Sequence, residues 1–293
     1  MENCLIIINK SAGGSKNISF DNVKNALGRG FNYTCHTLPN DGEPNLDGYS
    51  TLAVCGGDGT LSSVLGKVYD KHKSVYYFPS GTLNDKAKIK QGAKTDKSAQ
   101  THAVIGKITG DTQAVFSYVF AAGSFTPIGY VASVKMKKRF GVLAYLSHVL
   151  SEYKVHRIHA KIQTKESVYT GDFTLIMFLK SPRCFGFKFN KAYEDTDESG
   201  HMLLIRSPRH SGLLGKIEMF FPFFRVFFLG LKKERDGKIV FKKVDSVSIT
   251  LDRQTAFCKD GEKEMVSGNS SLSFEKTECN LNLVYKNKNG TLS

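Results

Sequence analysis

Hydrophobic positions fall in short, unbroken runs through the first third of the chain. CLIII at 4–8, TLAVC at 51–55 and SVYYF at 74–78 are each bounded by Gly, Ser, Pro or Asn. A continuous apolar run of that length marks a strand buried on both faces, whereas burial on one face gives alternation. YTCHTL at 33–38 alternates and reads as a further strand. Helical spacing separates these runs at 20–27 and 60–70, and helix is also predicted from residue 84 onward and over 97–108. Strands alternating with helices in this way predict a parallel sheet with helices on both faces.

From about residue 112 the rhythm changes. A strand is predicted over 114–121 and helices over 128–137 and 141–153. Strand patterns then dominate, at 155–164, 173–180, 202–206, 238–241, 246–251, 255–259 and 281–285. The expectation is a two-domain chain. Residues 1–120 form an α/β nucleotide-binding domain with a parallel sheet, and residues 121–280 a mainly antiparallel, β-rich domain. Residues from about 281 to 293 have the option of returning to the first. No internal repeat is visible, and 286–290 reads as a loose end.

Composition narrows the partners. Lys and Arg outnumber Asp and Glu by 41 to 27, a formal charge of +14 in 293 residues. Such a balance favours nucleic acid, acidic lipid surfaces or phosphorylated substrates. The chain shows neither an interleaved aromatic–basic motif of the RNA-binding type nor a helix-turn-helix. A basic nucleic-acid-binding protein is therefore the alternative of another class, and no nucleic-acid partner is expected. No two of the six cysteines form a Cys-x-x-Cys pair, and MENCLIIIN lacks the features of a secretion signal, so the expected compartment is the reducing cytosol. GLLGKIEMFFPFFRVFFLGL at 212–231 is long enough to cross a bilayer, but Lys216, Glu218, Pro222 and Arg225 interrupt it. Its Phe220, Phe221, Phe223, Phe224, Phe227 and Phe228 adjoin Arg225, Lys232, Lys233 and Arg235. These residues either fill a core or lie on an anionic membrane surface.

Three loops follow predicted parallel strands and share one chemical character: NKSAGG at 9–14, GGDGT at 56–60 and PSGTLND at 79–85. Glycine lets backbone approach a ligand closely, and amides opening the next helix point at an anion. One such loop is only a turn; three on successive strands favour a nucleotide-phosphate site. Neither the P-loop pattern nor Gly-x-Gly-x-x-Gly is present. Asp58 and Asp85 sit within these loops. A carboxylate facing a polyphosphate repels it unless a divalent cation lies between, so both are candidates for a water-mediated Mg²⁺ site. The simpler readings are a turn residue for Asp58 and an N-cap or helix-opening acid for Asp85.

These loops resemble the diacylglycerol kinase catalytic-domain family, which includes bacterial lipid kinases and the sphingosine kinases. GGDGTL is similar to its Gly-Gly-Asp-Gly-Thr-Leu segment, GTLND to its Gly-Thr-x-Asn-Asp loop, and NKSAGG to its N-terminal Asn-Pro-x-Ser-Gly loop. RFGVLAYL at 139–146 and KDGEKE at 259–264 follow in family order. The resemblance implies a fold akin to NAD kinases and phosphofructokinases, with the nucleotide in a cleft between the domains. It implies transfer of the γ-phosphate of ATP, with Mg²⁺, to the hydroxyl of a lipid alcohol, diacylglycerol first. Asn9, Ser11, Gly13, Gly56, Gly57, Asp58, Gly59, Thr60, Gly81, Thr82 and Asn84 would line the nucleotide site, with Thr37 as a further contact. Asp260 would be the general base and Glu262 its neighbour. Read without the family, Asp260-Gly261 between two strand-like segments is a hairpin turn. A peripheral association with an anionic membrane is expected, and a homodimer is left open. An NAD kinase-like activity is the alternative, although no second motif for an NAD ribose is found. The chain departs from the family at Lys10, Leu83 and Lys86. Ser199 in DESG (197–200) casts doubt on a structural metal there unless Asp197 or Glu198 substitutes.

Overall fold

The structure, a computed structural model, describes residues 1–15, 18–81, 84–87, 101–124, 126, 155–184, 187–194 and 196–284. The expected helices over 128–137 and 141–153, the segment 139–146, Thr82 and the tail at 286–290 lie outside the described residues. In chain order the elements are β1 (Glu2–Asn9), α1 (Phe20–Leu27), β2 (Phe31–Leu38), β3 (Thr51–Gly56), α2 (Asp58–Val68), β4 (Ser74–Pro79), β5 (Thr101–Gly110), β6 (Ala114–Phe116) and β7 (Val119–Gly123). There follow β8 (Ile158–Gln163), β9 (Val168–Leu179), β10 (Arg183–Cys184), β11 (Phe187–Lys188), β12 (Gly200–Arg206) and α3 (Gly212–Phe224), which continues as a π-helical segment, Arg225–Leu229. The chain ends with β13 (Ile239–Val244), β14 (Ser246–Lys259) and β15 (Glu262–Leu283). It divides into two compact units, residues 1–103 with 276–293, and residues 104–275. The sequence-based boundaries at 120 and 280 lie further along the chain.

In the first unit the strand order is β2-β1-β3-β4-β15, each neighbouring pair parallel. Residues 4–8 of β1 and all of β3 are buried, as their unbroken apolar runs require. One face, with Leu5, Ile7, Leu52, Val54 and Tyr77, packs on Leu61, Leu65 and Val68 of α2. The other, with Ile6, Ile8, Cys55 and Phe78, packs on Val23 of α1. The start of α1 is set by Ser19, whose Oγ accepts the Asn22 N–H at 3.2 Å. It stops at Gly28, at φ 90°. The chain leaves β1 toward β2 on one side and returns to β3 on the other. The crevice beyond the carboxyl ends of β1 and β3 is therefore the topological switch point, where sheets of this type take ligands.

The second unit is antiparallel. β9 pairs with β7, β8 and β12, β12 with β13, and β14 with β7, β8 and β15. One core holds Phe116, Phe120 and Phe257, with the Phe120 and Phe257 rings stacked at 4.4 Å. A second lies under α3, where Met219, Phe223 and Val226 cover Leu175, Met177 and Phe241. None of the six cysteines forms a disulfide.

Four expectations change. Helix was predicted over 97–108, but 101–110 is β5. Gly106 pairs with Phe116 there, and the Phe116 ring occupies the space a Cβ would need, 2.0 Å away. Tertiary pairing outweighs local propensity at this point. The strand expected over 114–121 breaks at Ser117 and Tyr118, whose amides turn toward Asp260. The strands expected at 246–251 and 255–259 are one, β14, with a register shift between Leu251 and Thr255. β15 begins at Glu262, well before the expected 281. Its buried positions include Ser270 and Thr277, which hide the alternation.

Candidate functional site

The loops after β1, β3 and β4 are joined directly. Asn9 ends β1; its Oδ1 accepts the Ser11 N–H at 2.9 Å, and its Nδ2 donates to Thr60 Oγ1 at 2.9 Å. The Gly14 N–H donates to Ser80 O at 2.7 Å, and the Ser80 N–H donates to Gly56 O at 2.7 Å. Gly57 and Gly81 touch: a Cβ on Gly81 would lie 2.5 Å from Gly57 Cα. Thr60 folds back over Gly56, where an added Cβ would lie 2.5 Å from Thr60 Oγ1. Glycine is required at 56, 57 and 81 by these approaches rather than by unusual dihedrals. Asp58, Gly59 and Thr60 open α2 from an N-cap, Gly57, that supplies no side-chain acceptor. Their amides have no acceptor within the helix. Glycine backbone, hydroxyls and helix-opening amides thus meet at the switch point of the sheet, a donor set suited to phosphate oxygens.

The Asp58 carboxylate has another occupation. Asp58 Oδ2 accepts the Asp85 N–H at 2.8 Å and Oδ1 accepts the Lys86 N–H at 3.1 Å. Asp58 thereby caps the turn after the third loop. Asn84, at φ 49°, holds the same loop: its Oδ1 accepts the Gly81 N–H at 2.7 Å and its Nδ2 donates to Gly81 O at 2.9 Å. Asp85 is fully buried and Asp58 only 9% exposed. Mg²⁺ keeps several waters and needs room beside its ligands. Asp58, whose two oxygens each accept a backbone amide, does not fit a direct ligand of it, and no group of three or more His, Cys, Asp or Glu placed to hold a metal occurs among the described residues.

Other candidates separate. Thr37 is the penultimate residue of β2 rather than lying beyond it. Its N–H donates to Asp41 Oδ2 at 2.7 Å and its C=O accepts the Asp41 N–H at 2.9 Å. That closes a turn instead of joining the loop cluster. Gly13 is exposed at the tip of the first loop. Ser80 was absent from the expected set, yet its main chain links the first and second loops. Its Oγ is buried with no hydrogen-bond partner among the described residues. A hydroxyl in the third loop was visible in the sequence; its burial was not.

Asp260 and Glu262 belong to the second unit. Lys259 pairs with Glu262 across β14 and β15, and Asp260 (φ 50°) and Gly261 (φ 99°) form the two-residue turn between them. Two positive φ values are what a type I′ hairpin needs, so the turn reading of Asp-Gly holds. The carboxylate points inward. Oδ2 accepts the Ser117 N–H, and Oδ1 accepts those of Tyr118 at 3.0 Å and Val119 at 2.8 Å. The residue is 3% exposed. Glu262 is exposed. At the loop where a structural metal was in question, Lys180 Nζ donates to Asp197 O and, at 2.9 Å, to Ser199 O, and Asp197 pairs with Lys243 at 2.7 Å. An ammonium group from the chain itself occupies those carbonyls.

Residues 3–115 match the family model of the diacylglycerol kinase catalytic domain. The resemblance to that family is real. The matched stretch contains all three loops. A Streptococcus pneumoniae protein provisionally named a lipid kinase is 22% identical over 225 residues, 70% of this chain and 74% of that one. A Staphylococcus carnosus diacylglycerol kinase is 24% identical over 224 residues, 73% of this chain and 70% of the relative. Among solved structures, one from Bacillus anthracis, provisionally described as a diacylglycerol kinase, covers 96% of both chains. Its TM-score is 0.69 at 15% identity, which speaks to fold alone. The diacylglycerol kinase-like lipid kinase family is thus where the chain's likenesses lie.

Proposed function

We propose that the protein is an ATP-dependent lipid kinase that transfers the γ-phosphate to a lipid hydroxyl, with diacylglycerol as the first acceptor to test. The observation that carries the reading is the Gly57–Gly81 contact, which brings two glycine loops together at the N-terminus of α2. Amides there would receive phosphate oxygens, with Asn9, Thr60 and Ser80 supplying side-chain polar groups around them. In the transfer, the lipid hydroxyl oxygen bonds to the γ-phosphorus as the bond to the ADP oxygen breaks, and the hydroxyl proton passes to a base. Asp260 is the proposed acceptor, oriented by its three amides. ATP supplies the phosphoryl group; Mg²⁺ belongs to the proposal only as a requirement to be measured. The test is ADP release in detergent micelles with diacylglycerol, monoacylglycerol, a sphingoid base, a prenol and NAD as acceptors, with Mg²⁺ and after chelation. Lipid-dependent ADP release supports the reading. Turnover on NAD alone, or on no acceptor, overturns it.

A further inference from the structure

The six phenylalanines of the 212–231 segment do not act together. Phe223 packs in the core of the second unit, with Met219, Pro222 and Val226 also buried, and Phe227 lies against that core. The opposite face of α3 and its π-helical continuation is left bare. Leu213 is 74% exposed, Phe221 69% and Phe228 67%, and Leu214, Ile217, Phe220, Phe224 and Leu229 are exposed beside them. These positions recur every three or four residues, so they form one stripe. Phe224 stacks on Phe220 at 5.7 Å and on Phe228 at 5.3 Å, which makes the stripe a continuous aromatic ridge. The helix and its continuation have thirteen and five residues, about 27 Å of axis at 1.5 Å per residue. A bare apolar ridge of this size marks an interaction surface.

Charge identifies the occupant. Arg225 lies on the ridge; Lys232, Lys233 and Arg235 follow it, exposed and without an ion-pair partner among the described residues. The nearby acids are engaged. Glu218 pairs with His210, and Glu234 and Asp236 pair with Lys242. Arg235 and Lys238 line a cavity of about 540 Å³ with Ile217 and Phe221, and the two acids in the same lining, Glu218 and Asp236, are the ones paired with His210 and Lys242. A second copy docked symmetrically here would bring like charges together. A bilayer with anionic headgroups satisfies both components, the ridge entering the acyl boundary and the cations meeting phosphates. No helix among the described residues is long and apolar enough to cross a membrane. We propose that the outer face of α3 and the Arg225–Leu229 segment is a membrane-docking element that lies in the surface of an anionic phospholipid bilayer.

The element contains none of the residues of the three glycine loops, so its test needs no turnover. The full chain is sedimented with vesicles of phosphatidylcholine, with and without about one third phosphatidylglycerol, at low salt and at about 0.5 M salt. Wild type is expected to bind the anionic vesicles and to be released by salt. Phe221→Ser with Phe228→Ser should lower the partition coefficient at least about tenfold, and Lys232→Glu with Lys233→Glu should also weaken it. Because all four side chains are exposed, unfolding midpoints should stay at wild-type values; they serve as the control for folding. Three results overturn the proposal: no binding to anionic vesicles, equal binding to neutral ones, or wild-type binding by a folded Phe221/Phe228 variant. A wild-type dimer that this variant dissociates, without vesicle binding, assigns the ridge to a second copy and also overturns it. Failure of the kinase assay leaves all these outcomes unchanged.

Discussion

Asp260 offers the sharpest perturbation because its structural and chemical contributions can be separated. At φ 50° both Asp and Asn are tolerated, so Asp260→Asn leaves the turn largely unaffected and changes only the side-chain interactions. The remaining oxygen can keep the amides of Tyr118 and Val119. The new NH₂ faces the Ser117 N–H, a donor against a donor. One hydrogen bond to a charged acceptor, about 1.5–3 kcal/mol, is lost, and a buried amide loses its acceptor. The expected destabilisation is about 3 kcal/mol. Asp260→Ala forfeits all three bonds and adds a left-handed backbone cost of roughly 1–2 kcal/mol, which approaches the whole stability of a marginal domain. Asn is therefore the usable variant.

Urea unfolding gives the stability change, and hydrogen exchange at Ser117 localises it. Asn should lower the protection of that amide by roughly two orders of magnitude, the equivalent of about 3 kcal/mol. A shift below about 1 kcal/mol with Ser117 still protected would falsify the structural assignment. Activity is measured on the same sample at saturating ATP. Loss of a general base costs about 10²–10⁴-fold, far more than the small unfolded fraction could account for. A folded Asn variant with wild-type turnover and intact ATP binding removes Asp260 from the chemistry.

Two further expectations concern groups outside the hairpin. Ser80→Ala deletes a buried hydroxyl that has no partner among the described residues, so stability should hold or rise by about 1 kcal/mol, while ATP affinity by calorimetry falls about tenfold; unchanged affinity would show that the hydroxyl does not serve the nucleotide. Burial, followed by the charge of Lys180, lowers the His201 pKa from 6.5 to about 4. Between those values the unfolded chain binds the extra proton, so stability rises with pH, and at pH 5 the folded state should have lost about 2 kcal/mol relative to pH 7. His201→Phe should flatten that acid limb in urea titrations from pH 4 to 7, and an unaltered limb would place the sensitivity elsewhere.

In the first unit β1 and β3 are legible because they are buried on both faces, and two-sided burial writes an unbroken apolar run into the sequence. Residues 4–8 and 51–55 could hardly be anything else. β15 was hidden for the converse reason. Ser270 and Thr277 take inward positions, and burial moves from even positions at 266–274 to odd ones at 277–281, so no alternation of hydrophobicity survives over the whole strand. The β5 stretch carries a helical pattern because its pairing partner, and the ring packed over Gly106, lie outside any local window. In the 212–231 segment, composition posed the choice between core and surface. Only the observed helix, with Phe223 inward and Phe221 outward, shows that both hold at once.

The acid beside the phosphate loops illustrates how far a motif can be read. Asp58 invites a metal because a bare carboxylate next to a polyphosphate is repulsive. In the fold each of its oxygens accepts one amide, those of Asp85 and Lys86. Asn placed the same way would offer an oxygen to only one of them, and its NH₂ would oppose the other, so the turn itself favours a carboxylate. The two amides also lower the cost of holding the charge close to where an anion would bind, and the chain as a whole carries +14. The acid in GGDG therefore fixes the third loop against the second and keeps Gly81 on Gly57. Its presence is evidence for an assembled loop cluster, and a metal requirement has to be established by measurement rather than inferred from the motif.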